Sequence, residues 1–333
     1  MRGGAVRQGS AMIGTGSAHH ADRIYAALSD RAATAQSAVA ASWARSLDHY
    51  RLDPNHARPP ERLDQAAFDA AFARLEPLIR RSQATMDRLF QMLDDAGCCV
   101  LLTDADGVPL DRRGAAGDDR DFMGLGLWTG MVWSEAREGT NGVGTCLAEG
   151  RPLTIHRDQH FLTRNIGLSC TVAPIFDPQG RIAGALDVST CRHDLTPAML
   201  KLIAATTVEA AQRIEAAHFR AAFQHARIVV TEEVGRGALL AVDREDLVVG
   251  ANRAARLAFG LTDERLASPF PAEDLLAPAG ASSGDDLGAA ERGVVQRALA
   301  RARGNVSAAA RLIGVSRATM HRKLARLGLE RPH

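Results

Sequence analysis

Aromatic residues are scarce, 5% of 333 residues with three Trp and two Tyr. The five cysteines, Cys98, Cys99, Cys146, Cys170 and Cys191, form an odd set without a C-x-x-C pair. That argues against a disulfide framework and fits reduced thiols in a cytoplasm. No apolar run approaches a membrane span, and the opening Met1-Arg2-Gly3-Gly4-Ala5-Val6 leads into no signal-type apolar core, so the expectation is a cytoplasmic chain without a membrane partner. The phosphate-cradling pattern G-x-x-x-x-G-K-[ST] is absent, which excludes a P-loop ATPase. What is present is the composition of a globular protein, 46% apolar and 24% charged, long enough for two or three domains.

The charge is unevenly placed. From Leu287 onward ten basic residues face two acidic ones, a net of +8 in a chain whose total is +1; the remainder is therefore acidic, the asymmetry expected of a DNA-binding module. Within this tail, 304–327 predicts a short helix, a tight turn at Gly314 and a second helix capped by Ser316. Helical spacing turns Met320, Leu324 and Leu327 inward. It places Ala318, Thr319, Arg322 and Arg326 on the opposite face, with Arg317, His321 and Lys323 on the flanks. A preceding stripe, Leu287, Val294, Val295, Ala298 and Leu299, supplies a third helix. The alternative, a helical hairpin with a solvated basic face, does not account for the charge asymmetry. The DNA-contacting set is then Ser316, Arg317, Ala318, Thr319, His321, Arg322, Lys323 and Arg326, with Thr319 and Arg322 assigned to base edges and Lys323 to phosphate. One such unit meets one half-site, so a homodimer is expected.

Upstream, residues up to about His20 are rich in Gly, Ser and Ala and predict disorder. Helical spacing follows from Asp22 to about Tyr50 and from Gln65 to Leu93, the latter interrupted near Pro77. From Cys98 the period becomes that of strands: Cys98-Cys99-Val100-Leu101-Leu102 runs into a turn at Asp104-Ala105-Asp106-Gly107. The clearest hairpin joins 170–176 to 181–189 through the type I turn Asp177-Pro178-Gln179-Gly180, with Pro174 marking an edge strand or bulge. An amphipathic helix starts at Thr196-Pro197, with its pattern running on past Phe223.

Four features could carry chemistry. Gly139, Gly142 and Gly144 could cradle an anion, although no Lys follows; shaping a loop is the plainer use. His156 and His160 could align on a helix as metal ligands, but no third ligand accompanies them. Cys98, Cys99, Cys146 and Cys170 could support thiol chemistry, although apolar surroundings usually make a Cys inert. Phe122, Trp128, Trp133, Thr140, Asn141, His160 and Phe161 could line a ligand pocket, against plain core packing for the aromatic members.

Two resemblances organise these observations. Gly304-Asn305, Ala309-Ala310, the run from Leu312 to Thr319 and Arg322-Lys323-Leu324 resemble the Fis-type helix-turn-helix that closes bacterial enhancer-binding activators, departing at Met320-His321. Leu127-Trp128, Trp133-Ser134-Glu135, the run from Glu138 to Thr145, His160-Phe161, Ser169-Cys170, Ala173-Pro174-Ile175 and the run from Gly184 to Ser189 resemble the GAF sensory domain of acetoin-catabolism-type regulators. Ser42-Trp43-Ala44-Arg45-Ser46 with Leu52-Asp53-Pro54 is similar to that family's helical lead-in, and 239–255 to the start of a PAS domain. Full-length members also carry a central AAA+ ATPase with a GAFTGA loop, and neither that loop nor a P-loop occurs here.

The resemblance implies an α+β chain: a GAF-like antiparallel sheet with flanking helices, a partial PAS-like segment, and a C-terminal all-α helix-turn-helix. The corresponding divisions are a disordered N-terminus at 1–20, a helical lead-in at 21–95, the GAF-like sensor at 96–226, the PAS-like segment at 227–279, a linker at 280–286, and the DNA-binding domain at 287–333. It further implies a cofactor-free, non-enzymatic regulator that binds double-stranded DNA and a small-molecule effector, and works with RNA polymerase or a related activator. Two alternatives remain open: an accessory partner that heterodimerises with a full-length sigma-54 activator, and a GAF-fold thiol redox enzyme.

Overall fold

A computed structural model describes residues 12–29, 37–56, 59–93, 96–231, 237–276, 291–295, 298–299, 302 and 304–329. The chain divides into two compact units, one up to Phe270 and one from Pro271 onward. The linker expected at 280–286 lies outside the described residues.

In the first unit, α1 (Met12–Ser29) starts inside the stretch expected to be disordered; residues 1–11 of that stretch are outside the described set. Next come α2 (Ala38–Ala44), whose last turn widens into a π-helical turn at Arg45–His49, and α3 (Gln65–Leu93). The break expected at Pro77 does not occur, because α3 runs straight through it. A mid-helix proline removes one backbone bond, at a cost of about 3 kcal/mol. Here Leu78, Ile79, Met86, Leu89 and Leu93 are buried along one stripe of α3, and that packing outweighs the loss.

A five-stranded antiparallel sheet follows, built from β1 (Cys98–Asp104), β2 (Pro109–Arg113), β3 (Leu153–His156), β4 (Ser169–Phe176) and β5 (Ile182–Thr190) in the order β2-β1-β5-β4-β3. The β4–β5 hairpin closes through the expected turn, in which Gly180 N–H donates to Asp177 O at 2.9 Å. β4 lies between two strands, yet β3 pairs only with Ser169 to Val172. Pro174 therefore stands where β4 has lost one neighbour, so its missing N–H costs no bond on that side, and a register shift follows at Ile175/Phe176.

Both faces of this sheet are buried. On one, Val100, Leu102, Ala173, Ile175, Leu186 and Val188 pack under α3 and under α7 (Pro197–Ala222), which Thr196 caps by accepting from Met199 N–H. On the other, Cys99, Leu101, Cys170, Val172 and Ala185 pack with residues from α4 (Asp119–Gly124) and α6 (Gly142–Glu149). The second half of α7 then supports another sheet, ordered β6-β7-β8-β9, from β6 (Arg227–Val230), β7 (Leu239–Val242), β8 (Leu247–Ala251) and β9 (Phe270–Pro271). The expected strand-turn-strand-helix is present as β7, β8 and α8 (Arg253–Phe259); β6 and β9 were not anticipated.

The second unit holds α9 (Val306–Leu312) and α10 (Arg317–Arg326). A helical segment at 291–295 and 298–299 precedes them.

Candidate functional site

Local chemistry builds the C-terminal pair. Asn305 caps α9 by accepting from Ala308 N–H at 3.0 Å, and Ser316 caps α10 by accepting from Thr319 N–H at 3.1 Å; each cap is worth about 1 kcal/mol. Between them Gly314 adopts φ +70°, a conformation that a Cβ would disfavour. Met320, Leu324 and Leu327 close a core with Ala309, Ala310, Val295, Ala298 and Leu299. Val294 is exposed instead of joining the expected stripe, and Leu287 lies outside the described residues.

On the outer surface of α10, Ser316, Arg317, Ala318, Arg322 and Arg326 are exposed, and Thr319, His321 and Lys323 half-buried. All eight residues expected at DNA thus reach the surface. They are not equally free, however: Lys323 and Arg326 both pair with Glu291, whereas Arg322 makes only a long contact of 3.4 Å to Thr319 Oγ1. Arg322 and Arg317 are therefore the cations of α10 not engaged with a carboxylate among the described residues.

The seven expected ligand residues separate into groups. Phe122 and Trp133 sit in the core above the sheet with Cys99, Leu101, Cys146 and Cys170. Trp128 stacks beneath the Arg112 guanidinium at 4.2 Å. Phe161 belongs to a separate cluster with Ile24, Trp43 and Leu162. Asn141 caps α6, accepting from Gly144 N–H at 2.8 Å, and Thr140 meets Ser42 Oγ at 2.7 Å. His160 is fully buried, its Nδ1–H donating to Arg157 O at 2.8 Å, which leaves Nε2 to accept from Cys170 Sγ–H at 3.5 Å. Burial lowers this histidine to about 4.

Other candidates are absorbed by packing. A Cβ on Gly142 would lie 2.5 Å from Cys170 Cβ, and one on Gly144 2.3 Å from Glu135 N, so these glycines permit close approach. His156 and His160 flank a 3-10 turn at Arg157–Gln159, with His156 bound to Ser169 Oγ at 2.7 Å; they do not share a helix face. Burial raises the Cys98 and Cys191 thiols to about 11 and pushes those of Cys99, Cys146 and Cys170 up further. Thiols held protonated are poor nucleophiles.

A polar pair that sequence reading missed lies on the same sheet face. Asp187 is fully buried; its Oδ2 accepts from Ser189 Oγ at 2.7 Å and its Oδ1 has no partner. Burial raises it to about 7. Across the sheet Asp187 is paired with Leu101, and Leu101 with Arg112. Arg112 Nη1 forms an ion pair with Asp119 Oδ1 at 2.7 Å, while its Nε and Nη2 are buried without hydrogen-bond partners.

Comparison with known proteins places these features. The GAF domain family matches residues 77–214, and the bacterial regulatory protein, Fis family, matches 287–327. The chain joins a GAF domain to a Fis-type helix-turn-helix. The GAF match begins within α3. The acetoin catabolism regulatory protein of Cupriavidus necator is 34% identical over 70% of this chain, and the match spans 36% of that protein. MimR, the propane 2-monooxygenase operon transcriptional activator of Mycolicibacterium smegmatis, is 35% identical over 38% of the chain and 22% of its own length. Among solved structures, the Escherichia coli DhaR(N)-DhaL complex aligns with a TM-score of 0.48 at 18% identity, over 68% of this chain and 76% of that one. The chain thus spans about a third or less of the curated relatives named here.

The lead-in is bonded directly into the GAF domain. Glu135, on the short helix α5 (Glu135–Glu138) just before α6, is buried; Arg45 reaches it through Nε at 2.9 Å and Nη2 at 3.0 Å. Ser42 Oγ donates to the same carboxylate, and Thr145 Oγ1 donates to it at 3.0 Å. Trp43 Nε1–H donates to Gln159 O at 2.8 Å. The Ser42-Trp43-Ala44-Arg45-Ser46 motif and the Trp133-to-Thr145 motif are therefore two halves of one contact.

Proposed function

We propose that this chain is a non-enzymatic, cytoplasmic transcription regulator that binds double-stranded DNA as a homodimer through α10 and senses a small metabolite through its GAF domain. The observation that carries the sensing role is the buried pair Asp187 and Arg112. A carboxyl oxygen and two guanidinium nitrogens lie out of water without partners, an arrangement that costs several kcal/mol unless something satisfies it. Their strands flank β1 and stand two spacings apart, about 10 Å, so a ligand that engages both lies across Leu101. The complementary ligand donates a hydroxyl to Asp187 and accepts at a carbonyl or carboxylate from Arg112. Trp128, Phe122 and Trp133 form its apolar surroundings, whereas Thr140, Asn141, His160 and Phe161 hold the α6 region in place.

Two further points support the regulator reading. Only 72 residues separate the GAF match from the Fis match and no P-loop occurs in the sequence, so the regulator acts without ATP hydrolysis of its own. Similarity to an acetoin catabolism regulator makes acetoin, an α-hydroxyketone, the first probe. Calorimetric titration of the full chain should show binding of acetoin, and weaker binding of 2-butanone, which lacks the hydroxyl, and of 2-butanol, which lacks the carbonyl. Asp187→Asn and Arg112→Gln should each weaken acetoin binding by about tenfold, or ~1.4 kcal/mol. Equal affinity for the three probes, or wild-type affinity in both variants, would overturn the assignment.

A further inference from the structure

A separate cavity of about 390 Å³ lies in the first unit, between β4 of the larger sheet, α7, and the β7–α8 region. Its volume falls in the range of small-molecule sites, about 300–1,000 Å³, and is far above the voids that close-packed interiors leave. Pro174 and Phe176 of β4, Val208 and Ala211 of α7, and Leu239 and Leu257 from the smaller sheet and its helix give it apolar walls.

The polar groups on those walls are few and under-used. Glu215 accepts from Phe176 N–H at 3.3 Å and from Asn252 Nδ2–H at 3.4 Å, both long for bonds to a carboxylate, which run about 2.7–2.9 Å. Arg253 lies over the Phe176 ring at 4.3 Å. Neither Arg253 nor Arg220, which also lines the cavity, pairs with a carboxylate among the described residues. Arg151, at the rim, pairs with Glu149. With Arg151 matched by Glu149, the lining carries two further guanidinium groups, those of Arg253 and Arg220, against one carboxyl. Burial raises that carboxyl to about 7, which lets it become neutral when an anion enters.

We infer that this cavity is a second small-molecule site, distinct from the Asp187 row, and that it takes an aliphatic carboxylate whose chain lies along the apolar walls and whose head is held by Arg253 and Arg220. A protonated amine is disfavoured by Arg253 and Arg220, and a neutral alcohol leaves these guanidinium groups without a counter-charge.

The test is calorimetric titration of the full chain with sodium octanoate, 1-octanol and octylammonium chloride at neutral pH. Octanoate should bind about tenfold more tightly than either other probe, or ~1.4 kcal/mol. Arg253→Gln and the exposed Arg220→Gln should each weaken octanoate several-fold while leaving acetoin binding and the circular dichroism spectrum unchanged. Absence of octanoate binding, equal affinity for all three head groups, or undiminished octanoate binding in both Arg variants would overturn the inference.

Discussion

Asp187 and His160 are buried ionisable groups whose shifts oppose each other in pH. Asp187 is raised to about 7 from an unfolded value near 4. The folded state therefore holds the extra proton, and its contribution is full below about pH 4 and lost as pH rises through about 7. His160 is lowered to about 4 from near 6.5, so its contribution is present above about 6.5 and lost as pH falls through about 4. Asp187→Asn should thus raise the urea midpoint at pH 8, with a smaller gain at pH 5; a gain that does not change with pH would contradict the burial argument. On α10 the ion pairs redistribute the roles. Arg322→Ala should weaken specific more than non-specific DNA binding, by about 1–3 kcal/mol at its base position. Lys323→Ala should lower stability as well as affinity, because it strips one cation from Glu291. Mobility shifts on specific and random duplexes, alongside unfolding curves, separate the two outcomes.

At the scale of elements, legibility followed the range of the interaction. The β4–β5 turn was readable because Asp177, Pro178 and Gly180 act within four residues, and the α10 cap because Ser316 needs only Thr319. Continuity through Pro77 was not, since it depends on a sheet contributed by residues far along the chain. The Asp187 anchor left a trace in the alternation of Ala185, Asp187 and Ser189 against Leu186 and Val188, but only the sheet order shows that both faces are covered. Likewise the two motifs joined by Glu135 were recognised separately, and nothing local reveals that Arg45 bonds across 90 positions. Glu135→Ala should cost on the order of 3 kcal/mol, the low end for a broken buried pair because Arg45 keeps some contact with water. Limited proteolysis should then cut between α2 and α3 sooner than in the wild type. Met320→Ala empties the centre of the C-terminal core and should cost about 2–5 kcal/mol; an unchanged thermal midpoint for this unit would show that the three helices do not share that core.

For the whole molecule, the acidic body and cationic tail predict DNA affinity dominated by phosphate neutralisation. A dimer making roughly 6–10 phosphate contacts should lose about 10³–10⁵ in affinity between 50 and 200 mM salt, and a flat salt profile would contradict it. Among the described residues, no helix is long and apolar enough to cross a membrane. The helix α7 has a consequence of its own. Ile203, Ala210, Ala211 and Ile214 belong to the core of the larger sheet, and Phe219 to that of the smaller one. One rigid rod of 26 residues is thus a structural member of both, so a twist imposed at one end cannot be absorbed by a hinge before it reaches the other. Severing the chain after Ala222 would strand Phe219 without its apolar neighbours, and the two sheets should melt together as a single calorimetric event.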